Sequence, residues 1–240
     1  MDSLTIIFIL TIFGILSVSF FLWLRVSRRY VEATIFKTFA SLLFVATGSI
    51  AWHAGGAGFW GTFILLGLVF GLTGDVFLDL KVAYSADSEK WTSAGMAAFA
   101  FGHVLYLTGV FIDAGSFLAK PVSWLAIPVL LAAGFTAGVW VVAPKMQLHY
   151  GKFLIPSLSY AFLLSFFVLV CGKLFIQTHF AWRWGLLLFG AFLFLVSDLI
   201  LSLQYFGPKQ HENNRIWIIT NHATYYMAQF SIAISMVFAE

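Results

Sequence analysis

The chain has 240 residues, of which 61% are hydrophobic, 19% aromatic and only 10% charged, with a formal net charge of +3. Soluble domains carry about 25% charged residues, so the composition excludes an ordinary soluble enzyme and points to an all-α polytopic membrane protein. The one cysteine, Cys171, excludes a disulfide framework and a thiolate metal site. The pI near 9.0 reflects membrane topology and attraction to anionic lipid rather than nucleic-acid binding, because no basic patch suits a duplex.

Apolar stretches of about 20 residues match the hydrocarbon thickness, and eight occur, at roughly 4–24, 35–52, 59–80, 92–112, 122–143, 154–173, 181–204 and 216–238. They run unbroken, which predicts helices rather than barrel strands. The first has no basic residue before it, an overlong apolar core and no small-residue cleavage site before Arg25, so it reads as a true span and not a signal peptide. Lys37 opens the second span. A snorkelling lysine is the structural explanation there, and an ammonium holding a lipid phosphate is the functional one. The third carries Asp75 and Asp79 in GLTGDVFLDL, with Asp79 close to the water boundary at Lys81; the connection 81–91 reads as a solvated loop. The fourth contains GHVLY, with His103 and Tyr106. Pro121 and Pro144 bracket the fifth span, while Pro128 inside it and Pro156 early in the sixth predict kinks whose freed carbonyls neighbours must satisfy. Asp198 lies in FLFLVSDLIL of the seventh. On the eighth, His222, Tyr225, Tyr226 and Gln229 follow i, i+3, i+4, i+7 spacing and form one polar stripe on an apolar helix.

Of the 13 Lys and Arg residues, ten (Arg25, Arg28, Arg29, Lys37, Lys81, Lys90, Lys145, Lys152, Lys209, Arg215) fall on one side of this topology, and Lys120, Lys173 and Arg183 on the other. The side with ten is expected to be cytoplasmic, with both termini on the opposite face. At 1.5 Å per residue, Asp75 and Asp198 each lie about 8 Å inside the cytoplasmic boundary. His222 reaches a similar depth and His103 lies deeper. The chain reads as one membrane-embedded domain, 1–240, with an internal echo: Asp75 and Asp198 are followed after 28 and 24 residues by the histidines of GHVLY and NHATY. The expectation is two parallel four-helix repeats, 1–112 and 122–240, related by an axis along the membrane normal.

A carboxyl group at membrane depth costs a few kcal/mol even on lenient scales. Two of them at matched depth on separate spans predict a polar working cavity. His103, Tyr106, Tyr225 and Tyr226 also have a structural reading as interhelical hydrogen-bond partners. Two carboxyls in a dry pocket separate their proton affinities and can work as acid and base. That suits glycosidic or enol-ether cleavage through an oxocarbenium-like state, an aspartyl peptidase, or a proton-coupled carrier of a lipid or small amphiphile. The peptidase reading fails: GLTGD (Gly71 to Asp75) is not that group's GxGD element, and no Tyr-Asp or Pro-Ala-Leu element occurs. For a metal-dependent membrane lipid hydrolase, His103, His222, Asp75 and Asp198 offer ligands, but the chain has no His-x-x-x-His pair.

Four blocks occur in order: GDVFLDL (Gly74 to Leu80), AFAFGHVLYLTG (Ala98 to Gly109), GAFLFLVSDLILSLQYF (Gly190 to Phe206) and YYMAQ (Tyr225 to Gln229). In these the chain closely resembles the YhhN family of lysoplasmalogenases, eight-span membrane hydrolases of bacteria and animals. One departure is Thr38, which follows Lys37 where the family usually has proline. The resemblance implies cleavage of the vinyl ether of a lysoplasmalogen to a fatty aldehyde and a glycerophospho-head-group alcohol. Asp75 and Asp198 would be the acid and base. Asp79, His103, Tyr106, His222, Tyr225, Tyr226 and Gln229 would orient them or bind the glycerol hydroxyl, and Lys37 would attract the phosphate. No metal or cofactor is required by this route, and the implied partners are the lysophospholipid and membrane lipids. The implied location is the inner membrane of a bacterium or the endoplasmic reticulum of an animal cell.

Overall fold

Backbone polar groups that cannot reach water close their hydrogen bonds within the segment, and in a membrane that favours helices. The computed structural model describes residues 2–83, 85–115, 123–208 and 214–239. Among them are eight long helices: α1 (Ser3–Val26), α2 (Tyr30–Ala54), α3 (Gly58–Ala83), α4 (Ser88–Asp113), α5 (Ser123–Val142), α6 (Leu154–Gln177), α7 (Trp182–Phe206) and α8 (Arg215–Ser235). No strand occurs among the described residues. Lys120, Pro121 and Lys209 lie outside them, as does residue 122, the expected start of the fifth span.

Seven of the eight helices are long and apolar enough to cross a membrane. The exception, α8, is the most polar because it carries the His222–Gln229 stripe. It is also central: α8 packs on α7, α2, α1 and α3, so protein rather than lipid meets its polar side chains. Asn214 caps it, its Oδ1 accepting from the backbone N–H of Ile216 at 2.9 Å. α2 and α4 begin at Tyr30 and Ser88, earlier than the apolar stretches at 35 and 92. Their first turns carry Glu32 and Glu89, and hydropathy marks only the part of a helix that lies in hydrocarbon.

Neighbours recur after four helices: α2 packs on α8, and α6 on α4. The two prolines behave differently. Pro128 lies inside α5 and frees the carbonyl of Trp124, which accepts from Lys173 Nζ at 2.6 Å. A neighbouring helix thus satisfies the freed group, as expected. Pro156 is the third residue of α6, in the first turn, where no N–H has an intrahelical partner to lose. The expected loss of a bond there does not arise.

α3 approaches α8 closely because Gly71 has no side chain. A Cβ at that position would stand 2.3 Å from Gln229 Nε2. Gly71→Val is expected to lower stability by about 1–3 kcal/mol through overpacking and to push Gln229 and Tyr225 out of register. Thermal unfolding of the detergent-solubilised variant checks this; an unchanged midpoint would show that α8 yields freely.

A buried carboxylate cluster as candidate active site

Three pairs of residues at i, i+4 spacing turn toward one another: Lys37 and Ser41 on α2, Asp75 and Asp79 on α3, and Tyr225 and Gln229 on α8. The Lys37 ammonium lies 3.0 Å from Asp79 Oδ1 and 3.3 Å from Asp75 Oδ1, and reaches the Asp75 carbonyl at 3.4 Å. All three residues are buried, at 4%, 3% and 2% exposure for Lys37, Asp75 and Asp79. This corrects two expectations. Lys37 does not snorkel to water but turns inward to α3, and Asp79 is not at the water boundary. An ammonium already shared by two carboxylates is also poorly placed to meet a phosphate, so the phosphate role expected of Lys37 is not supported.

Asp75 is saturated with donors. Ser41 Oγ donates to its Oδ2 at 2.6 Å and the Tyr225 hydroxyl donates to the same oxygen at 2.7 Å. Behind Tyr225 the hydrogen bonds continue inward: Gln229 Nε2 donates to the Tyr225 hydroxyl at 3.1 Å, and the Tyr106 hydroxyl donates to Gln229 Oε1 at 2.7 Å. Every donor in this chain points toward Asp75, an arrangement that stabilises negative charge on it. The Tyr226 hydroxyl stands 3.1 Å from both Ser41 Oγ and the Lys37 carbonyl, locking α8 to α2.

Asp198 is treated differently. It is half-buried, its Oδ2 has no hydrogen-bond partner among the described residues, and no cation pairs with it within ion-pair distance. Its neighbour is Tyr160 of α6, whose hydroxyl lies close enough to interact with the carboxyl but outside good hydrogen-bond geometry. Asn221 fixes α8 against α7 beside it, its Nδ2 donating to the Ser197 carbonyl at 2.7 Å and to Ser197 Oγ at 3.1 Å.

A cavity of about 650 Å³ joins these groups, lined by Lys37, Asp75, Asp79, Asp198, His222 and Tyr225 at depth. It opens at the end of the bundle that carries Arg25, Arg28, Lys81 and Arg215. From Arg215 to Tyr225 along α8 is ten residues, about 15 Å of helix. The two acidic spans selected from sequence thus meet in one cavity. Tyr106, Tyr226 and Gln229 stand behind its wall as part of the hydrogen-bond chain. His103 does not line it: its Nδ1 lies 2.9 Å from the Phe99 carbonyl, its Nε2 is unpartnered, and its ring packs 4.4 Å from that of Phe194. His222 holds the Ile218 carbonyl in the same way at 2.8 Å but faces the cavity.

Sequence reasoning missed Ser41, Tyr160, Asn221 and the basic mouth. Ser41 was accessible as the i+4 companion of Lys37, and Asn221 as the first residue of NHATY. Among the described residues no three His, Cys, Asp or Glu side chains are grouped as metal ligands.

Comparison with curated proteins and with solved structures gives no match. The family model described as the YhhN family matches residues 32–236, a stretch that runs from the first turn of α2 to the end of α8 and holds every residue of the carboxylate cluster. This integral membrane protein belongs to the YhhN family.

Proposed function

We propose that the protein is a lysoplasmalogenase-like ether hydrolase that cleaves the vinyl ether of a lysophospholipid to a fatty aldehyde and a glycerophospho-head-group alcohol. The observation that carries the reading is the unequal treatment of two carboxyls in one cavity. Asp75 is held by Lys37, Ser41 and Tyr225, whereas Asp198 faces the cavity with no cation. Among the described residues the one cation within ion-pair distance, Lys37, serves Asp75 and Asp79, so the carboxyl without a cation is the one that carries a proton. Asp198 is then the acid and Asp75 the carboxylate.

The chemistry closes with these two groups and one water. Asp198 gives its proton to the enol-ether carbon remote from oxygen, and the C=C electron pair forms the new C–H bond, leaving an oxocarbenium ion. Asp75 stabilises that cation and takes a proton as water adds, giving a neutral hemiacetal. Collapse returns the hemiacetal hydroxyl proton to Asp198 while Asp75 protonates the departing alkoxide. Both side chains end as they began, and the net change is vinyl ether plus water to alcohol plus aldehyde.

The basic end of the bundle is taken as cytoplasmic, with both termini on the other face, in the inner membrane of a bacterium or the endoplasmic reticulum of an animal cell. The molecule is taken as one domain of two four-helix halves. The described residues that line the cavity all lie toward the basic end of the bundle, which supports a reaction pocket over a carrier path. The test is release of fatty aldehyde from lysoplasmalogens of several head groups, anionic ones included, by the purified detergent-solubilised protein. Aldehyde is expected from wild type and not from Asp75→Asn. A folded wild type that releases none, but takes up lipid into vesicles under a proton gradient, would overturn the hydrolase in favour of a carrier.

A further inference from the structure

Three helices bring buried polar atoms without a hydrogen-bond partner among the described residues to one place behind the cavity: His103 Nε2 on α4, the Tyr160 hydroxyl on α6 and Asp198 Oδ2 on α7. The Tyr160 hydroxyl lies beside the Asp198 carboxyl. The His103 ring stands edge-on to that of Tyr160 at 5.7 Å and to that of Phe194 at 4.4 Å, and Phe194 is one turn before Asp198 on α7. Buried polar atoms are nearly always paired, so three such atoms in one cluster call for a common task.

The tautomer of His103 defines that task. Its Nδ1 lies 2.9 Å from the Phe99 carbonyl, an oxygen that can only accept, so Nδ1 carries the hydrogen and Nε2 the lone pair. Nε2 therefore needs a donor. Four aromatic rings enclose the imidazole edge-on, those of Tyr106, Tyr160, Phe167 and Phe194, with centroids 4.4 to 5.9 Å away. Only two of them bear a hydroxyl, and the Tyr106 proton is already given to Gln229 Oε1 at 2.7 Å. The Tyr160 hydroxyl is left as the donor. Ring nitrogen and hydroxyl are not bonded to each other directly, so one water that accepts from Tyr160 and donates to Nε2 completes the link.

A phenol that gives its proton away from Asp198 turns a lone pair toward it. That lone pair accepts from a protonated carboxyl and repels a carboxylate. The polarity is the reverse of that at Asp75, where every donor in the chain points at the carboxylate. We propose that Tyr160 and His103 are positioning residues that hold the proton on Asp198, His103 acting through Tyr160. This rests on the reading of Asp198 as the acid of the proposed hydrolase. Once that proton has gone to carbon, the hydroxyl rotates and donates to the carboxylate it faces, and Tyr160 keeps its own proton throughout.

The test follows the infrared band of a protonated carboxyl in the purified detergent-solubilised protein over a pH series, assigned to Asp198 by its loss in Asp198→Asn. Lys37, Asp75, Asp79, Tyr205, His222 and Tyr225 line the same cavity and are unchanged in every variant compared, so their charges are a common background. His103→Leu removes the acceptor and frees Tyr160 to donate to Asp198. The proton affinity of Asp198 is then expected to fall about 10-fold, so that the band is lost about one pH unit lower. Tyr160→Phe keeps the ring and removes the hydroxyl. Its band is expected to move to higher wavenumber, because the acid loses its acceptor, with no fall in proton affinity. In His103→Leu/Tyr160→Phe the fall is expected to vanish, since no hydroxyl is left to turn. A histidine that only packs would leave the affinity unchanged in His103→Leu, and one that acts without Tyr160 would lower it equally in the double variant. Either result would overturn the proposal, as would a band unmoved in Tyr160→Phe, which decides the matter even where His103→Leu does not fold. A wild type with no band that Asp198→Asn removes would overturn the acid assignment and the proposal together. The expected band pattern without aldehyde from any vinyl-ether substrate would remove the hydrolase reading alone.

Discussion

Lys37→Met is expected to destabilise the protein by about 3–5 kcal/mol, and Lys37→Met/Asp79→Asn to recover most of that loss. Removing one partner of a buried ion pair leaves an uncompensated charge, which costs far more than the intact pair contributes. The two aspartates are not equally exposed to this loss. Asp75 keeps Ser41 and Tyr225 as donors. Asp79 keeps none, because its Oδ2 is unpartnered and its Oδ1 is held by Lys37. The cost therefore falls on Asp79, and converting it to the neutral amide removes the charge that methionine leaves behind. The exposed pair Lys152–Glu89 is the control. Lys152→Met is expected to change stability by no more than about 1 kcal/mol. Thermal unfolding of all four proteins in one detergent decides the matter. A Lys37→Met protein as stable as wild type would mean that the buried pair is not what holds α2 against α3, and an unrescued double variant would mean that packing of the lysine stem matters more than its charge.

The same residues show where sequence reasoning reached and where it stopped. Depth along a span follows from counting residues, so Asp75, Asp198 and His222 could be placed in one layer without knowing which helices touch. The α8 stripe was legible because i, i+3, i+4, i+7 spacing fixes a face. The direction of Lys37 was not, since a lysine near a helix end can point to water or inward and spacing is silent on which. Arg25 and Arg28 entered the sequence argument only as topological charges, because α1 is apolar all round and its sequence does not say which face meets the bundle. Tyr160 is one aromatic among many on α6, and only the packing of α6 against α7 brings it to Asp198. What was missed is mostly neighbour choice between helices, which in lipid is set by shape and small residues such as Gly71 rather than by a hydropathy pattern.

A large functional effect with the fold intact is expected from Asp198→Asn: turnover falling by about 10²–10⁴-fold, the range a general acid supplies, with ligand affinity retained. An amide occupies the space of the carboxyl but cannot give a proton to carbon. Stability is expected to hold or rise, because the amide oxygen can keep the contact with the Tyr160 hydroxyl and no cation is left unpaired by the substitution. That separates the variant from Lys37→Met, in which loss of activity would follow loss of structure. Binding of a saturated ether lysolipid to Asp198→Asn, compared with wild type, removes a structural explanation: a positioning defect would weaken binding together with turnover, whereas a missing acid weakens turnover alone. Deuterated water supplies the second readout. If Asp198 protonates carbon in the slow step, wild type slows in deuterium oxide and the aldehyde carries one deuterium at the carbon next to its carbonyl. Residual turnover in Asp198→Asn then needs a proton from water and keeps the same label position at a much lower rate. Full activity in that variant would transfer the acid role to another group in the cavity, and Asp75, held by three donors that favour its charge, would be the least suited to take it.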